Sequence, residues 1–147
     1  MRYFILSLAF IGATFFNAKA QSPTAPDIVF EETNHDFGTV TEGELATHEF
    51  NFTNKGKEPL ILTNVKASCG CTTPQWPREP ILPGQKGVIK AIYNSKGRPG
   101  AFTKSITITS NAKTPTKVVY IKGKVEKAVP ANTGNPQQTP NMLNNQH

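Results

Sequence analysis

LATHEFNFTN, residues Leu45–Asn54, decides the fold, because apolar and polar side chains alternate along its whole length. The apolar face carries Ala46, His48, Phe50 and Phe52. The polar face carries Thr47, Glu49 and Asn51. Side chains of a β-strand alternate between two faces, so this pattern predicts a strand with one buried face.

The same alternation extends outward along the chain. AFTKSITITSN, residues 101–111, alternates as well, and further strands are predicted around residues 28–32, 60–67, 87–94 and 117–125. No stretch keeps the spacing of a helix, and glycine-containing turns are predicted at residues 54–59, 82–87 and 95–100. The sequence therefore predicts an all-β domain, a single antiparallel sandwich of about seven strands.

The two ends of the chain differ from this central region. Residues 1–20, MRYFILSLAFIGATFFNAKA, combine an early cation, an apolar stretch and a small-residue end, which is the layout of a cleaved secretory signal. We expect a signal peptide over residues 1–20, a linker over 21–27 and the sandwich over 28–127. Residues 128–147 are rich in Pro, Asn and Gln, so we expect a disordered tail there. The expected location is periplasmic or secreted, with no transmembrane segment after cleavage.

The charge pattern argues against nucleic acid as a partner. The chain has a formal net charge of +6, which falls to +4 when Arg2 and Lys19 leave with the signal peptide. The remaining lysines are scattered and form no basic stripe of the kind that binds a phosphate backbone. Attraction to an anionic polymer of the cell envelope is compatible with this charge.

Both cysteines lie in KASCGCTTPQWPREPILPG, residues 66–84, where Cys69 and Cys71 flank Gly70. Three interpretations are open: a short disulfide that shapes the following loop, a redox-active pair, and a pair of metal ligands. Exported proteins are exposed to oxidising conditions, which favours the disulfide. Closing a loop of three residues contributes only about 1.6 kcal/mol, so such a bond shapes a loop more than it stabilises a fold. We expect a bent backbone at Gly70, since glycine tolerates bends that other residues do not.

A metal site would need ligands in addition to the two cysteines. Copper(I) favours thiolates, and the imidazole of His35 or His48 would complete a three-coordinate site, whereas zinc would need both histidines. Neither histidine stands at a recognised ligand spacing from Cys69, and His48 falls on the apolar face of its strand. We therefore interpret His48 as a residue at the boundary of the core, and we assign no metal and no other cofactor.

Trp76 is the candidate binding residue of the loop that follows the cysteines. It lies between Pro74 and Pro77 and is either an exposed platform for a ligand or a cover for the edge of the sandwich. Packing is the favoured interpretation, because tryptophan buries a large area and contacts sulfur favourably.

No catalytic motif is present in the sequence. The chain contains no Gly-x-Ser-x-Gly or HExxH pattern and no glycine-rich phosphate loop. Four residues suited to acid–base chemistry lie together in the N-terminal third, namely Asp27, His35, Asp36 and His48. Without a nucleophile or metal motif, they do not predict an enzyme.

Six segments resemble the bacterial domain-of-unknown-function family numbered 1573. They are HDFGTVTEGE (35–44), HEFNFTNKGKEPLIL (48–62), ASCGCTTPQWP (67–77), PILPGQKGVIKAIYNSKGRPG (80–100), FTKSITITSN (102–111) and IKG (121–123). The resemblance covers nearly all of the predicted domain. It implies an exported immunoglobulin-like sandwich similar to Hydin and major-sperm-protein domains, which are usually non-catalytic interaction modules.

The expected function is an exported, non-catalytic binding or scaffolding module of the bacterial cell envelope. We expect a monomer whose partner is another envelope protein or a polymer. The alternative is a periplasmic protein that handles electrons or copper through Cys69 and Cys71.

Overall fold

Eight strands and no helix make up the part of the chain that is described, residues 23–128 of a computed structural model. The strands are β1 (Ile28–Phe30), β2 (Asn34–Thr41), β3 (Leu45–Asn54), β4 (Leu62–Ala67), β5 (Thr72–Gln75), β6 (Lys86–Asn94), β7 (Gly100–Ser110) and β8 (Thr116–Glu126). Within residues 23–128, no helix is long and apolar enough to cross a membrane. The predicted signal peptide and residues 129–147 of the predicted tail lie outside this range.

The strands form two four-stranded sheets that pack as a sandwich, which confirms the predicted all-β fold. The first sheet has the order β1-β3-β6-β5, and the second has the order β2-β8-β7-β4. Every pair is antiparallel except β2 and β8, which run parallel. The antiparallel prediction fails for this pair because no hairpin joins the two strands, so no connection imposes the antiparallel direction.

The alternation read in residues 45–54 corresponds to the burial observed in β3. Phe50 and Phe52 are fully buried, whereas Thr47 and Glu49 are exposed. In the second sheet, Ile106 and Ile108 of β7 are buried in the same way. Fully burying a large apolar side chain contributes roughly 1.5–3 kcal/mol, so the two facing rows account for much of the stability.

Tyr93 and Phe102 join the two sheets at one end of the core. Their rings stack with centroids 4.0 Å apart and planes inclined by 14°. Tyr93 is 1% exposed, and desolvation by burial raises the pKa of its phenol. Aromatic stacking of this kind adds to the free energy of burial, so the pair fixes the spacing of the sheets as well as filling it.

Glycine is required at two positions, one in a turn and one in a strand. Gly97, in the predicted turn at residues 95–100, has a φ of 68°, which side chains disfavour. Gly87, in β6, faces the ring of Phe52, and a Cβ atom there would lie 2.4 Å from its Cζ atom. Gly87 therefore allows the phenylalanine ring to lie directly against the backbone of β6.

Asn54, predicted as the start of a turn, is a fully buried polar residue at the end of β3. Its Nδ2 donates to the carbonyl oxygens of Glu58 and Ile81 at 2.8 and 2.9 Å. Its Oδ1 accepts from the backbone N–H groups of Asp27 and Gly56 at 3.3 and 3.0 Å. One side chain thus holds together the start of β1, the turn after β3 and the segment before β6.

Candidate functional site

Cys69 and Cys71 form a disulfide in the connection between β4 and β5, with their Cα atoms 5.2 Å apart. The bond is the one that the disulfide interpretation predicts, and no free cysteine is present among residues 23–128. Because β4 lies at the edge of the second sheet and β5 at the edge of the first, the bridge sits where the chain crosses between sheets.

Hydrogen bonds anchor this crossing to both sheets. On one side, the N–H of Ser68 donates to the carbonyl of Ser105 in β7 at 2.9 Å. On the other side, the N–H of Asn94 at the end of β6 donates to the carbonyl of Cys71 at 2.9 Å, and Cys71 itself is buried. The disulfide therefore lies between two anchored points and fixes the direction in which the chain enters β5.

Gly70 lies in a turn, so the bent backbone that the sequence predicts at this position is confirmed. Its φ lies outside the positive range, and a Cβ atom added to it would meet nothing within 4 Å. The bridge therefore closes with a backbone that ordinary residues also adopt, and glycine is not required between the two cysteines.

Trp76 follows β5 directly and packs against the core, as the favoured interpretation of the sequence predicts. The indole is half-buried and packs against the core, and the guanidinium carbon of Arg78 lies 3.8 Å from its ring centroid. Its Nε1 atom is buried and has no hydrogen-bond partner among the described residues. Trp76 therefore packs as a structural residue and also retains an unused hydrogen-bond donor.

An open cleft of about 490 Å³ lies beside Trp76 on the first sheet. Its lining includes Gln75, Pro77, Val88, Glu49, Lys86 and Lys90. Both lysines form ion pairs, Lys86 with Glu31 at 2.7 Å and Lys90 with Glu49 at 3.1 Å. Arg78 forms no ion pair with any carboxylate of residues 23–128, so its positive charge is not neutralised locally.

His35 of β2 and His48 of β3 are the two histidine candidates. They contact each other near the crossing from β1 to β2, away from the cysteines. Their rings stack in parallel, with centroids 3.5 Å apart and planes inclined by 8°. Glu32 joins them, and its Oε1 lies 2.5 Å from Nε2 of His48. Burial and the neighbouring His48 lower the pKa of His35, while Glu32 and Asp36 act in the opposite direction.

The structure does not bring the histidines to the cysteines. Among residues 23–128, the one group of three or more side chains whose ligand atoms converge is Glu32, His35 and His48. Neither Cys69 nor Cys71 belongs to it, and both sulfurs are used in the disulfide. Glu32 was missed from the sequence, where its position three residues before His35 was the only signal.

A family model described as "Protein of unknown function (DUF1573)" matches residues 28–125, which is more than half of the chain. The chain belongs to the DUF1573 family. The disulfide, Trp76, Arg78 and the cluster of Glu32, His35 and His48 all lie within the DUF1573 match. No curated protein matches the sequence.

Solved structures similar to this DUF1573 domain include two with TM-scores above 0.6. A protein of unknown function from Porphyromonas gingivalis W83 is 20% identical with a TM-score of 0.62, and the match covers 74% of this chain and 51% of that one. The ASH / PapD-like domain 7 of human CEP192 is 9% identical with a TM-score of 0.61, and the match covers 82% of this chain and 100% of that one. This chain therefore spans about half the length of the P. gingivalis protein.

The secreted serine protease VesC from Vibrio cholerae is a further similar structure. It is 20% identical with a TM-score of 0.53, and the match covers 73% of this chain but 25% of the protease chain. At identities of 9–20%, these likenesses concern the fold. They support an immunoglobulin-like sandwich fold for the DUF1573 domain.

Proposed function

We propose that this DUF1573 domain is an exported, non-catalytic binding module of the bacterial cell envelope, and that the cleft beside Trp76 is its binding face. The partner is an acidic polymer of the envelope. The observation that carries the proposal is the buried Nε1 of Trp76, a residue that lines the open cleft, because this atom has no hydrogen-bond partner among residues 23–128.

A buried donor without a partner costs roughly 1–3 kcal/mol, and native proteins contain few such groups. A ligand oxygen that reached the indole N–H through the cleft would remove this cost. Tryptophan and arginine are also the residue types that most often dominate binding energy at interfaces. Trp76 and Arg78 lie together here, with the guanidinium stacked on the indole.

The charges near the cleft favour an anionic partner. Arg78 carries a positive charge that no described carboxylate neutralises, and the ion pairs of Lys86 and Lys90 are solvent-exposed. Exposed ion pairs contribute little, so a carboxylate or phosphate of the partner can replace Glu31 or Glu49 at small cost. A partner that offers both oxygen acceptors and negative charge would satisfy the indole and the guanidinium together.

The disulfide has a structural part in this proposal. β5 has four residues and includes Pro74, so few ladder hydrogen bonds hold the segment that leads to Trp76. The bridge between Cys69 and Cys71 fixes the start of that segment. We therefore assign to the disulfide the role of positioning the segment that carries Trp76 and Arg78, which we call the Trp76 loop.

Export and the absence of catalysis are parts of the proposal that rest on the sequence. Residues 1–20 have the layout of a secretory signal, and N-terminal sequencing of the exported protein should find Gln21 as its first residue. Finding Met1 instead would remove the argument for the compartment. The redox alternative stays a prediction, whereas copper binding by two thiolates is incompatible with the disulfide.

The single tryptophan of the chain makes a direct test available, since all indole fluorescence comes from Trp76. The protein is titrated with polygalacturonate, poly-γ-glutamate and, as a neutral polymer, dextran. We expect the acidic polymers to shift the emission and dextran to leave it unchanged.

The matched variants are Arg78→Gln and Lys66→Gln, which remove the same charge, the first beside Trp76 and the second from β4 in the other sheet. Arg78→Gln should weaken binding of the acidic polymers at least fivefold, and Lys66→Gln should leave it within twofold. Equal weakening by both variants would show that only net charge matters. An unchanged emission with both acidic polymers would leave a protein partner as the better explanation.

A further inference from the structure

The crossing from β1 into β2 carries Glu32 and His35, and β3 of the first sheet brings His48 to them. Glu32 lies in the connection between β1 and β2, His35 is near the start of β2 in the second sheet, and His48 is in the middle of β3 in the first sheet. Their ligand atoms all lie within 4.8 Å of one another. The cluster therefore spans the open side of the sandwich, where the chain crosses between sheets.

The hydrogen bonding of the cluster is incomplete. Nε2 of His48 is buried and makes no hydrogen bond within residues 23–128, although Oε1 of Glu32 lies 2.5 Å from it as an ion-pair contact. The ring of His35 stacks on the ring of His48, and neither of its nitrogens makes a hydrogen bond to a residue of the described range. Two imidazoles and a carboxylate thus approach closely without satisfying one another, which calls for a group that all three can bind.

We propose that Glu32, His35 and His48 form a binding site for a divalent transition-metal ion of the zinc type. Two imidazole nitrogens and one carboxylate oxygen are a donor set that suits zinc, and three protein ligands leave a fourth position open to water. Calcium and magnesium prefer oxygen donors, so they fit this set poorly. The site shares no residue with the Trp76 cleft and does not depend on the function proposed for it.

The geometry requires a small adjustment when the ion binds. Bonds of about 2.0–2.1 Å in a tetrahedral site place ligand atoms roughly 3.3–3.4 Å apart, so Glu32 must withdraw from His48 by about 1 Å. The imidazole planes must also tilt out of their parallel stack so that both nitrogens face one ion. The side chain of Glu32 is 45% exposed and lies outside any strand, so it is free to move.

His48 is the fixed member of the site. It belongs to the paired core of β3, its side chain is 17% exposed, and its ring meets the edge of the Phe50 ring at 4.7 Å. Phe37 contacts the other side of the cluster, with its ring 4.7 Å from that of His35. These aromatic walls hold the imidazoles and limit the access of water, which strengthens metal coordination.

A bound ion would link β2 of the second sheet to β3 of the first. Anything that binds only the folded state raises the melting temperature. For a domain of this size, zinc at a hundredfold excess over its Kd should raise the melting temperature by roughly 10 °C. This rise in melting temperature can be measured without knowing the partner of the protein.

The test uses the full chain after removal of metals with EDTA and dialysis at pH 7.5. Titration with ZnCl2 by calorimetry should give one ion per chain, and CoCl2 should give the visible absorption of a tetrahedral nitrogen–oxygen site. His48→Gln and Glu32→Gln should each weaken zinc binding at least tenfold and abolish the rise in melting temperature. CaCl2 should produce no shift.

Two matched controls separate this site from other ways of holding zinc. Glu31→Gln removes the neighbouring carboxylate, which pairs with Lys86, and should leave zinc binding unchanged. His147→Gln removes the remaining histidine of the chain and should also have no effect. Zinc binding that survives in both His48→Gln and Glu32→Gln, or that is lost in His147→Gln, would overturn the proposal. Glu32 is exposed, so its variant remains informative if His48→Gln does not fold.

Discussion

Changing Asn54 to aspartate should destabilise the domain much more than the same change at Asn51. The two asparagines lie three residues apart on β3, but Asn54 is fully buried with four hydrogen bonds, whereas the side chain of Asn51 is only partly buried and makes no described hydrogen bond. Aspartate has nearly the same shape as asparagine. The comparison therefore reports the loss of the two N–H donors together with the burial of a carboxylate.

The expected loss of stability can be estimated from the two carbonyl groups that accept hydrogen bonds from Asn54. The carbonyl of Ile81 still accepts from the N–H of Leu60, so losing its bond to Asn54 costs about 1 kcal/mol. The carbonyl of Glu58 has no other described donor, but the bond is only part-buried, so its loss also costs about 1 kcal/mol. Burying a carboxylate beside two carbonyls adds to this. We expect a total loss of at least about 3 kcal/mol for Asn54→Asp and under about 1 kcal/mol for Asn51→Asp.

Urea denaturation followed by circular dichroism measures both losses, and the pH dependence supplies a second check. Burial and the facing carbonyls should raise the folded-state pKa of the new aspartate above its unfolded value. Stability of the variant should therefore increase as the pH falls from 7 through that raised pKa, since the protonated acid can donate one of the lost bonds. Losses that differ by less than about 1 kcal/mol between the two variants would refute the assignment of Asn54 as a buried hydrogen-bond centre.

Three further perturbations test the core, the glycines and the disulfide. Phe50→Asp places an unpaired charge at a fully buried position and should abolish cooperative thermal unfolding. Gly87→Ala should cost about 1–3 kcal/mol in urea titrations because its Cβ would overlap a core ring, whereas Gly70→Ala should stay within about 0.5 kcal/mol. Replacing Cys69 and Cys71 by serine should lower stability by no more than about 2 kcal/mol, given the small loop, yet weaken polymer binding measured by Trp fluorescence. A larger loss of stability without a loss of binding would contradict the positioning role.

The strands that the sequence predicted are those whose own residues carry a buried face. β3 and β7 alternate over ten and eleven residues, so the period of two was clear. β2 was missed because Val40 is its only fully buried residue. β5 was missed because it has four residues and contains proline, which argues against a strand.

Pairing between distant segments was beyond what the sequence could show. The disulfide was predictable because Cys69 and Cys71 are nearly adjacent and no other cysteine competes. The meeting of His35 with His48 depends on β2 lying in one sheet and β3 in the other, which no local pattern encodes. The one signal in the sequence was an imidazole on the otherwise apolar face of β3.

The parallel pairing of β2 with β8 also determines when the domain can finish folding. During synthesis the chain emerges from its N-terminus, so β2 must wait for its partner until the final strand is available. The β7–β8 hairpin closes a short loop and can form quickly, whereas docking β2 closes a loop that contains most of the domain and should be slow. Until that step, the side of the core beneath β2 stays open to solvent, and His35 has not yet reached His48. We therefore expect truncation anywhere within β8 to leave an aggregation-prone intermediate, even though every residue of the Trp76 loop is already present.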